Sequence, residues 1–416
     1  MSRRVAITGI GVITPIGTGR RAFWEAVLHG KSGVKHIERF DVSQFPVRIA
    51  GEVGDFEPRS FFDDSKIHRM DRFSQFALAA TCQAIEDSAL NLSDIDKGRI
   101  GIILGTSVGG IFSHEKASQD LFTRGYRYVD PLSIPMVMYN SAASNIAMHF
   151  GFTGPNFTVT TACASSSNAI GEAYRLVKHG YADVVITGGA DATLSPVFFS
   201  AWCKLRALST QNDSPQTACK PFSLNRDGLV LGEGAGILIL EDMEKAEKRG
   251  ADIYGELCGY GNNNDAYHLT FPSMDGEVKA INMALEDAKM AAKDIDYINA
   301  HGTATKINDK VETATIKKVF GERAYKIPVS STKSMIGHTL GASGAIELIT
   351  CLLAIKHQIV PPTINYEVPD PECDLDYVPN KARKAAVNTA MSNSFAFGGT
   401  NVALLVKRYG GNQPVE

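Results

Sequence analysis

No C-x-x-C pair occurs in the 416 residues, and the seven cysteines, at 82, 163, 203, 219, 258, 351 and 373, are scattered and odd in number. That spacing argues against a disulfide framework and a zinc site, and the expected compartment is a reducing cytoplasm. Long apolar runs are missing too. No segment approaches the roughly 20 residues that span a bilayer. The apolar stretch after Arg3 and Arg4 is broken by Gly9, Gly11 and Pro15, so it reads as a buried strand and turn rather than a signal peptide, and membrane insertion is not expected. With a formal charge of −3 the chain lacks the positive excess of a general nucleic-acid binder. The glycines at 9 and 11, and those at 259 and 261, fall short of the dinucleotide fingerprint, so no nucleotide site is read there.

What is present is an ordinary globular composition, 44% hydrophobic and 21% charged, in a chain long enough for two or three structural units. Strand-like and helix-like segments alternate: RVAITGIGVI before a helix near 21–28, RIGIILGTS after a helix near 73–89, DVVITGGADA after a helix near 168–179. Alternation of that kind predicts an α/β fold. The order of segments also repeats. RVAITGIGV has a weak counterpart in IYGELCGYGN, DVVITGGADA has one in NTAMSNSFAFGGTN, and Val159 to Cys163 lies in register over Val329 to Lys333. Two related α/β halves, 1–250 and 251–416, follow from that repetition, with the boundary in EKRGAD at 247–252.

In FTVTTACASSSNAIGEAYRL (157–176) a lone cysteine, Cys163, sits where a β-branched strand passes into a helix. Unpaired backbone N–H groups and the positive helix dipole at such a turn favour ionisation of a thiol. A buried structural cysteine is the alternative. The second half places His301 in NAHGTATKIND, Lys333 and His338 in SSTKSMIGHTLGASGA, and a Gly-rich loop with Phe395, Phe397, Gly398 and Gly399 in SNSFAFGGTN. Taken singly, these histidines read equally as capping or packing residues and the Gly-Gly pair as a turn.

Together, TACASS, LSTQNDSPQTACKPF, RDGLVLGEGAGILILE, NAHGTATKIND, SSTKSMIGHTLGASGA, VPPTIN and NSFAFGGTN resemble the elongating, type II branch of the β-ketoacyl-[acyl-carrier-protein] synthases, within the thiolase superfamily, over essentially the whole chain. The resemblance implies duplicated thiolase-like halves packed in αβαβα layers. It implies that Cys163 takes an acyl group from acyl carrier protein, that His301 and His338 are the paired catalytic histidines, and that Lys333 orders them. The N–H groups of Cys163 and Phe397 would form the oxyanion hole, with Glu312 and Asp309 in support. Thr303, Thr305, Thr270, Val108, Phe395, Ala396 and Gly398 match substrate-contacting positions, and residues 135–139 (PMVMY) match the acyl pocket and dimer interface. Lys66, Arg69, Arg124, Arg127 and Arg206 match the carrier-docking surface. No metal and no cofactor of its own is implied, since phosphopantetheine arrives on the carrier. The implied assembly is a homodimer, or a heterodimer with a chain-length subunit in the polyketide version.

The resemblance also separates sister branches. Degradative thiolases carry a second catalytic cysteine where this chain has SFAFGG, and initiating or plant-type condensing enzymes have asparagine in place of His338. Two departures remain. Ala396 replaces the first glycine of the usual GFGG gate, and Lys306 stands where many primary-metabolism relatives have proline. TKIND together with DPECDLDYVP also occurs in type II polyketide ketosynthases, which keeps that pathway as an alternative to fatty-acid elongation, whereas GGTN at 398–401 is the fatty-acid pattern.

Overall fold

The computed structural model describes residues 2–410. Ten strands carry the architecture: β1 (Val5–Thr14), β2 (Ile100–Gly105), β3 (Asn156–Val159), β4 (Val184–Asp191), β5 (Gly234–Asp242), β6 (Gly255–Asn264), β7 (Tyr297–Asn299), β8 (Val329–Ser330), β9 (Thr389–Ala396) and β10 (Thr400–Lys407). With Gly17–Thr18 beside β1 they form one 11-stranded sheet in the order β8-β7-β9-β10-β6-β1-β5-β4-β2-β3. Outward from its centre, β1, β5, β4, β2 and β3 on one side match β6, β10, β9, β7 and β8 on the other. On each side the two inner pairings are antiparallel and the two outer ones parallel.

Five helices complete the layers: α1 (Arg72–Asp87), α2 (Ser165–Lys178), α3 (Met274–Ala288), α4 (Lys306–Phe320) and α5 (Ser343–His357). The apolar α5 packs against α2 in the central layer, where both bury their side chains in the largest core. Its span Leu340–His357 is apolar enough to pass for a membrane segment, but 89% of it is buried, so packing accounts for its composition. Helix α1 covers the outer face of β1 and β5, and α3 covers that of β6 and β10, with α4 packed against α3. The result is a thiolase-like stack of helix, half-sheet, helix pair, half-sheet and helix, the two half-sheets being the two sides of the one continuous sheet.

The glycine pairs that fail as a nucleotide fingerprint dock the outer helices. A Cβ on Gly9 or Gly11 would lie 2.2 or 1.8 Å from the carbonyl oxygens of Ala84 and Ala80 in α1. On Gly259 or Gly261 it would lie 2.4 or 2.0 Å from those of Ala284 and Ala280 in α3. Each strand needs glycine because the helix backbone rests directly on it.

One point of register differs from expectation. Both central helices are entered through a single 3-10 turn whose first residue has a positive φ: Ala162 (φ 50°) before α2 and Leu340 (φ 49°) before α5. The counterpart of the Cys163 turn is therefore 340–342, not Lys333. The second half inserts a short helix, Lys333–Ile336, and His338 between strand and turn, which puts extra side chains in front of the cysteine.

Candidate active site

Hydrogen bonds local to the turn hold Cys163 in place. Thr161 N–H donates to Ser165 Oγ at 2.9 Å, Ser165 Oγ–H donates to the Ala162 carbonyl at 2.7 Å, and Asn168 Nδ2 donates to Thr161 Oγ1 at 2.9 Å. Gly105 at the end of β2 lets the start of α2 sit close, since a Cβ there would be 2.3 Å from the backbone of Ser165 and Ser166. Cys163 is 7% exposed. Burial pushes its thiol up to about 12, against the opposing pull of the Lys333 charge and of the Phe397 N–H that faces the sulfur. Desolvation therefore works against the easy ionisation expected of a thiol at a helix terminus.

His301 and His338 are each 2% exposed and their rings lie 5.3 Å apart, nearly perpendicular. Lys333 Nζ donates to His301 Nδ1 at 3.3 Å. Leu340 N–H donates to His338 Nδ1 at 3.2 Å, with Ser343 Oγ at 3.0 Å. A nitrogen that accepts cannot carry the proton of a neutral ring, so both imidazoles hold it on Nε2. Burial, then the Lys333 charge, keeps both well below the ordinary histidine range, and the neighbouring imidazole adds to this for His301. The backbone of His338 is pinned by the RDGLVLGEG segment: its N–H donates to the Val230 carbonyl at 2.7 Å, and Gly232 N–H donates to its carbonyl at 2.9 Å.

Cys163, His301 and His338 open on one cavity of ≈ 480 Å³, also lined by Thr270, Thr303, Thr305, Phe395, Ala396, Phe397 and Arg206. Thr303 and Thr305 face each other with Oγ1 atoms 3.0 Å apart. Gly398 lies just behind the lining at φ 84°, and its N–H donates to the Leu269 carbonyl at 2.8 Å. Val108 is half-buried and does not line this cavity, nor do Lys66, Arg69, Arg124 or Arg127. Arg124 instead pairs with Asp120 at 3.2 Å and lies over the Tyr128 ring. Phe397, 37% exposed, stacks on Trp202 with ring centroids 5.8 Å apart. Ala396 closes β9 opposite Thr400 without the positive φ that would demand glycine, so alanine is unstrained there.

Residues 2–246 match the family model for the β-ketoacyl synthase N-terminal domain, and residues 254–367 match that for the C-terminal domain. The chain belongs to the β-ketoacyl synthase family. Among curated relatives, the 3-oxoacyl-[acyl-carrier-protein] synthase 2 of Synechocystis sp. is 48% identical over 409 residues, covering 98% of both chains. The protein of the same name from Coxiella burnetii is 46% identical, covering 98% of this synthase and 99% of the relative. Among solved structures, the ishigamide ketosynthase/chain length factor superposes with a TM-score of 0.93 at 38% identity, covering 99% of this synthase and 100% of that chain. A type II PKS acyl-carrier protein in complex with its ketosynthase bound to the hexaketide gives 0.91 at 37% identity, over 98% and 100%. This synthase is a condensing acyltransferase.

Three parts of the synthase's site escaped sequence reasoning. The ion-pair partner of Lys333 is Glu347, both 1% exposed, whereas Glu312 accepts from the His301 and Gly302 N–H groups, each at 2.8 Å, and so holds the turn rather than the lysine or the rings. A single carboxylate inside the apolar run of α5 was the available signal for Glu347. Asp309 is a step further back, accepting from Phe222 N–H at 2.7 Å beside Arg226. Asp191 accepts from Thr106 Oγ1 at 2.6 Å and from Gly341 N–H at 2.6 Å, tying the end of β2 to the turn before α5. The third is Trp202, the partner of Phe397. Among the described residues no cluster of three or more His, Cys, Asp or Glu could hold a metal.

Proposed function

We propose that this synthase extends acyl chains by decarboxylative Claisen condensation of an acyl-enzyme with malonyl-[acyl-carrier-protein], in the elongation steps of type II fatty-acid synthesis. The observation that carries the reading is the pair of neutral imidazoles whose tautomers are both fixed by acceptor Nδ1 atoms, leaving two Nε2–H donors in the cavity that holds Cys163.

In the first half-reaction the Cys163 sulfur attacks the acyl thioester of the carrier's phosphopantetheine arm. The tetrahedral oxyanion is met by the N–H groups of Cys163 and Phe397, the former in a first helical turn that lacks a backbone acceptor, the latter already facing the sulfur. The C–S bond to the arm breaks, and the proton that leaves Cys163 ends on the departing pantetheine thiol. Because the buried thiol resists ionisation, sulfur attack and proton loss are coupled.

In the second, a malonyl thioester enters and loses carbon dioxide. Negative charge gathers on its thioester oxygen, where the Nε2–H groups of His301 and His338 donate without any proton changing hands. Lys333, neutralised by Glu347, holds His301. The carbanion attacks the Cys163 thioester, and a 3-oxoacyl product on the carrier departs as the sulfur regains a proton. The balance is one proton consumed and one carbon dioxide released. Phe397, stacked on Trp202, gates the cavity from the loop that begins at Ala396. The proposed reaction needs no cofactor beyond the phosphopantetheine arm that arrives on the carrier.

The carrier docks through Lys66, Arg69, Arg124, Arg127 and Arg206, four of which lie outside the cavity while Arg206 stands in its wall. A homodimer forms over the face that exposes Phe122, Ile134, Met138, Tyr139 and Met148, with Val108 and residues 135–139 meeting the partner. The seven unpaired cysteines support a reducing, cytoplasmic setting. The division at residue 250 into two thiolase-like halves is supported by the repeated strand order. A polyketide role is the second reading, favoured by the ketosynthases among the structural neighbours; the greater identity to the synthase 2 relatives favours elongation.

Mass spectrometry after addition of medium-chain acyl carrier protein, then malonyl carrier protein, tests the proposal. The expected result is an acyl adduct on Cys163 followed by a carrier product two carbons longer. Products with several unreduced keto groups would establish the polyketide reading, and an enzyme that never acylates would refute both.

A further inference from the structure

The Lys306 side chain, one of the two departures from the family pattern, stands in the wall of the catalytic cavity. So does Arg206, from a separate element, and both are exposed. Neither side chain forms an ion pair with another described residue. Two carboxylates share the lining, but each is engaged elsewhere. Asp227 accepts from Thr210 N–H at 3.1 Å and from Gln211 Nε2 at 3.2 Å, and Asp265 from Tyr267 N–H at 3.0 Å and Asn401 Nδ2 at 3.2 Å.

Lys306 projects from a rigid base. The buried Arg226 donates from Nε to the Thr305 carbonyl and from Nη2 to that of Lys306, each at 3.2 Å. Arg226 is itself anchored on Asp370 at 2.7 Å. The backbone under Lys306 is therefore fixed before any ligand arrives, which lowers the cost of ordering the side chain. Deeper in the same cavity stand the hydroxyls of Thr303 and Thr305, and then Cys163. A ligand reaching the buried cysteine through this cavity passes two exposed cations, neither of them held in an ion pair, and then the hydroxyls.

We propose that Lys306, together with Arg206, binds the phosphodiester of the carrier's phosphopantetheine arm, so that Lys306 is a specificity-determining residue favouring phosphate-bearing thioesters. The inference rests on the acyl-transfer reading of the cavity. A phosphodiester is an anion attached to an otherwise neutral amide chain, and two cations above a pair of hydroxyls complement that order of groups.

The test compares Cys163 acylation by one acyl group carried on acyl carrier protein, on free phosphopantetheine, and on phosphate-free pantetheine, for the wild type, Lys306→Ala, Lys306→Arg and Arg206→Ala. Lys306→Ala is expected to lower kcat/KM about tenfold for both phosphate-bearing thioesters, mainly through KM, and to leave pantetheine thioesters unchanged. Lys306→Arg should restore most of the loss, with Tm unaltered. An equal fall with the phosphate-free thioester would overturn the proposal in favour of a structural role. A fall confined to the intact carrier would overturn it in favour of contact with the carrier's acidic surface, and no change in any arm would overturn it outright. Wild-type enzyme that acylates with none of the three would instead sink the function proposed above.

Discussion

At the scale of the residue, the site runs on desolvation. Burial keeps Cys163 a thiol and both histidines neutral, and it lifts Glu312 to about 7 even though two backbone N–H groups oppose the rise. For Glu312 the folded state holds its proton more tightly than the unfolded chain, so its contribution to stability is full below the ordinary carboxylate range and is lost as pH rises through 7. Glu312→Gln should flatten that part of the dependence: thermal melts between pH 5 and 8 are expected to show a smaller decline than wild type. The histidines titrate in the opposite sense. Their neutral forms are favoured in the fold, so their contribution is present above the ordinary histidine pKa and lost as pH falls below it. Because both rings stay neutral through the physiological range, imidazole protonation should impose no acid limb on condensation between pH 8 and 6.5; a decline there that vanished in His338→Ala would contradict this. His338→Ala should lower decarboxylation of malonyl carrier protein by about 10²–10³, as loss of one oxyanion donor does. Acylation of Cys163, read by intact-protein mass, should persist. Glu347→Ala leaves the Lys333 ammonium buried without its ion-pair partner, and a destabilisation of about 3–5 kcal/mol is expected from chemical denaturation.

At the scale of the element, repeated glycine pairs and the entry turns organise the fold. Gly11→Ala and Gly261→Ala each drive a methyl into a helix carbonyl, and each should cost about 1–3 kcal/mol or more in urea unfolding, with similar effects on the two sides of the sheet. An alanine exchange at the exposed Gly250, where no atom lies near the added Cβ, meets no such clash; its φ of 71° is the only penalty. The strands and helices around Cys163 were legible because β-branched runs and helical periodicity are local signals. Glycines 9, 11, 259 and 261 were visible as well, but their purpose was not: the reason for each is a carbonyl about 70 residues or 20 residues away along the chain, which no spacing rule records. The insertion before Leu340 was hidden for a related reason, since Lys333 and Cys163 follow similar β-branched residues and only φ angles reveal which turn is equivalent.

At the scale of the whole molecule, β3 ends the sheet with an open edge, and beside it in the chain lies an unusual run of exposed apolar residues: Phe122 is 84% exposed, Met148 73% and Ile134 69%. Edges and patches of this kind are covered in stable proteins. Sedimentation is expected to give a dimer, and Phe122→Asp with Ile134→Asp a monomer that keeps the cysteine turn but loses activity; a wild-type monomer with full activity would refute the assembly.

The sequence alone determined the α/β class and the repetition of strand types, because periodicity is written in neighbouring residues, and its motifs, through the family resemblance, singled out the cysteine, the histidines and the lysine as the candidate site. Only the tertiary structure decided that Glu347 rather than Glu312 pairs with Lys333, that Leu340 fixes the proton of His338, and that Trp202 meets Phe397. Those choices depend on which side chains are brought together without water. Burial and distance, unlike composition, exist only once the two sides of the sheet have closed on the central helices.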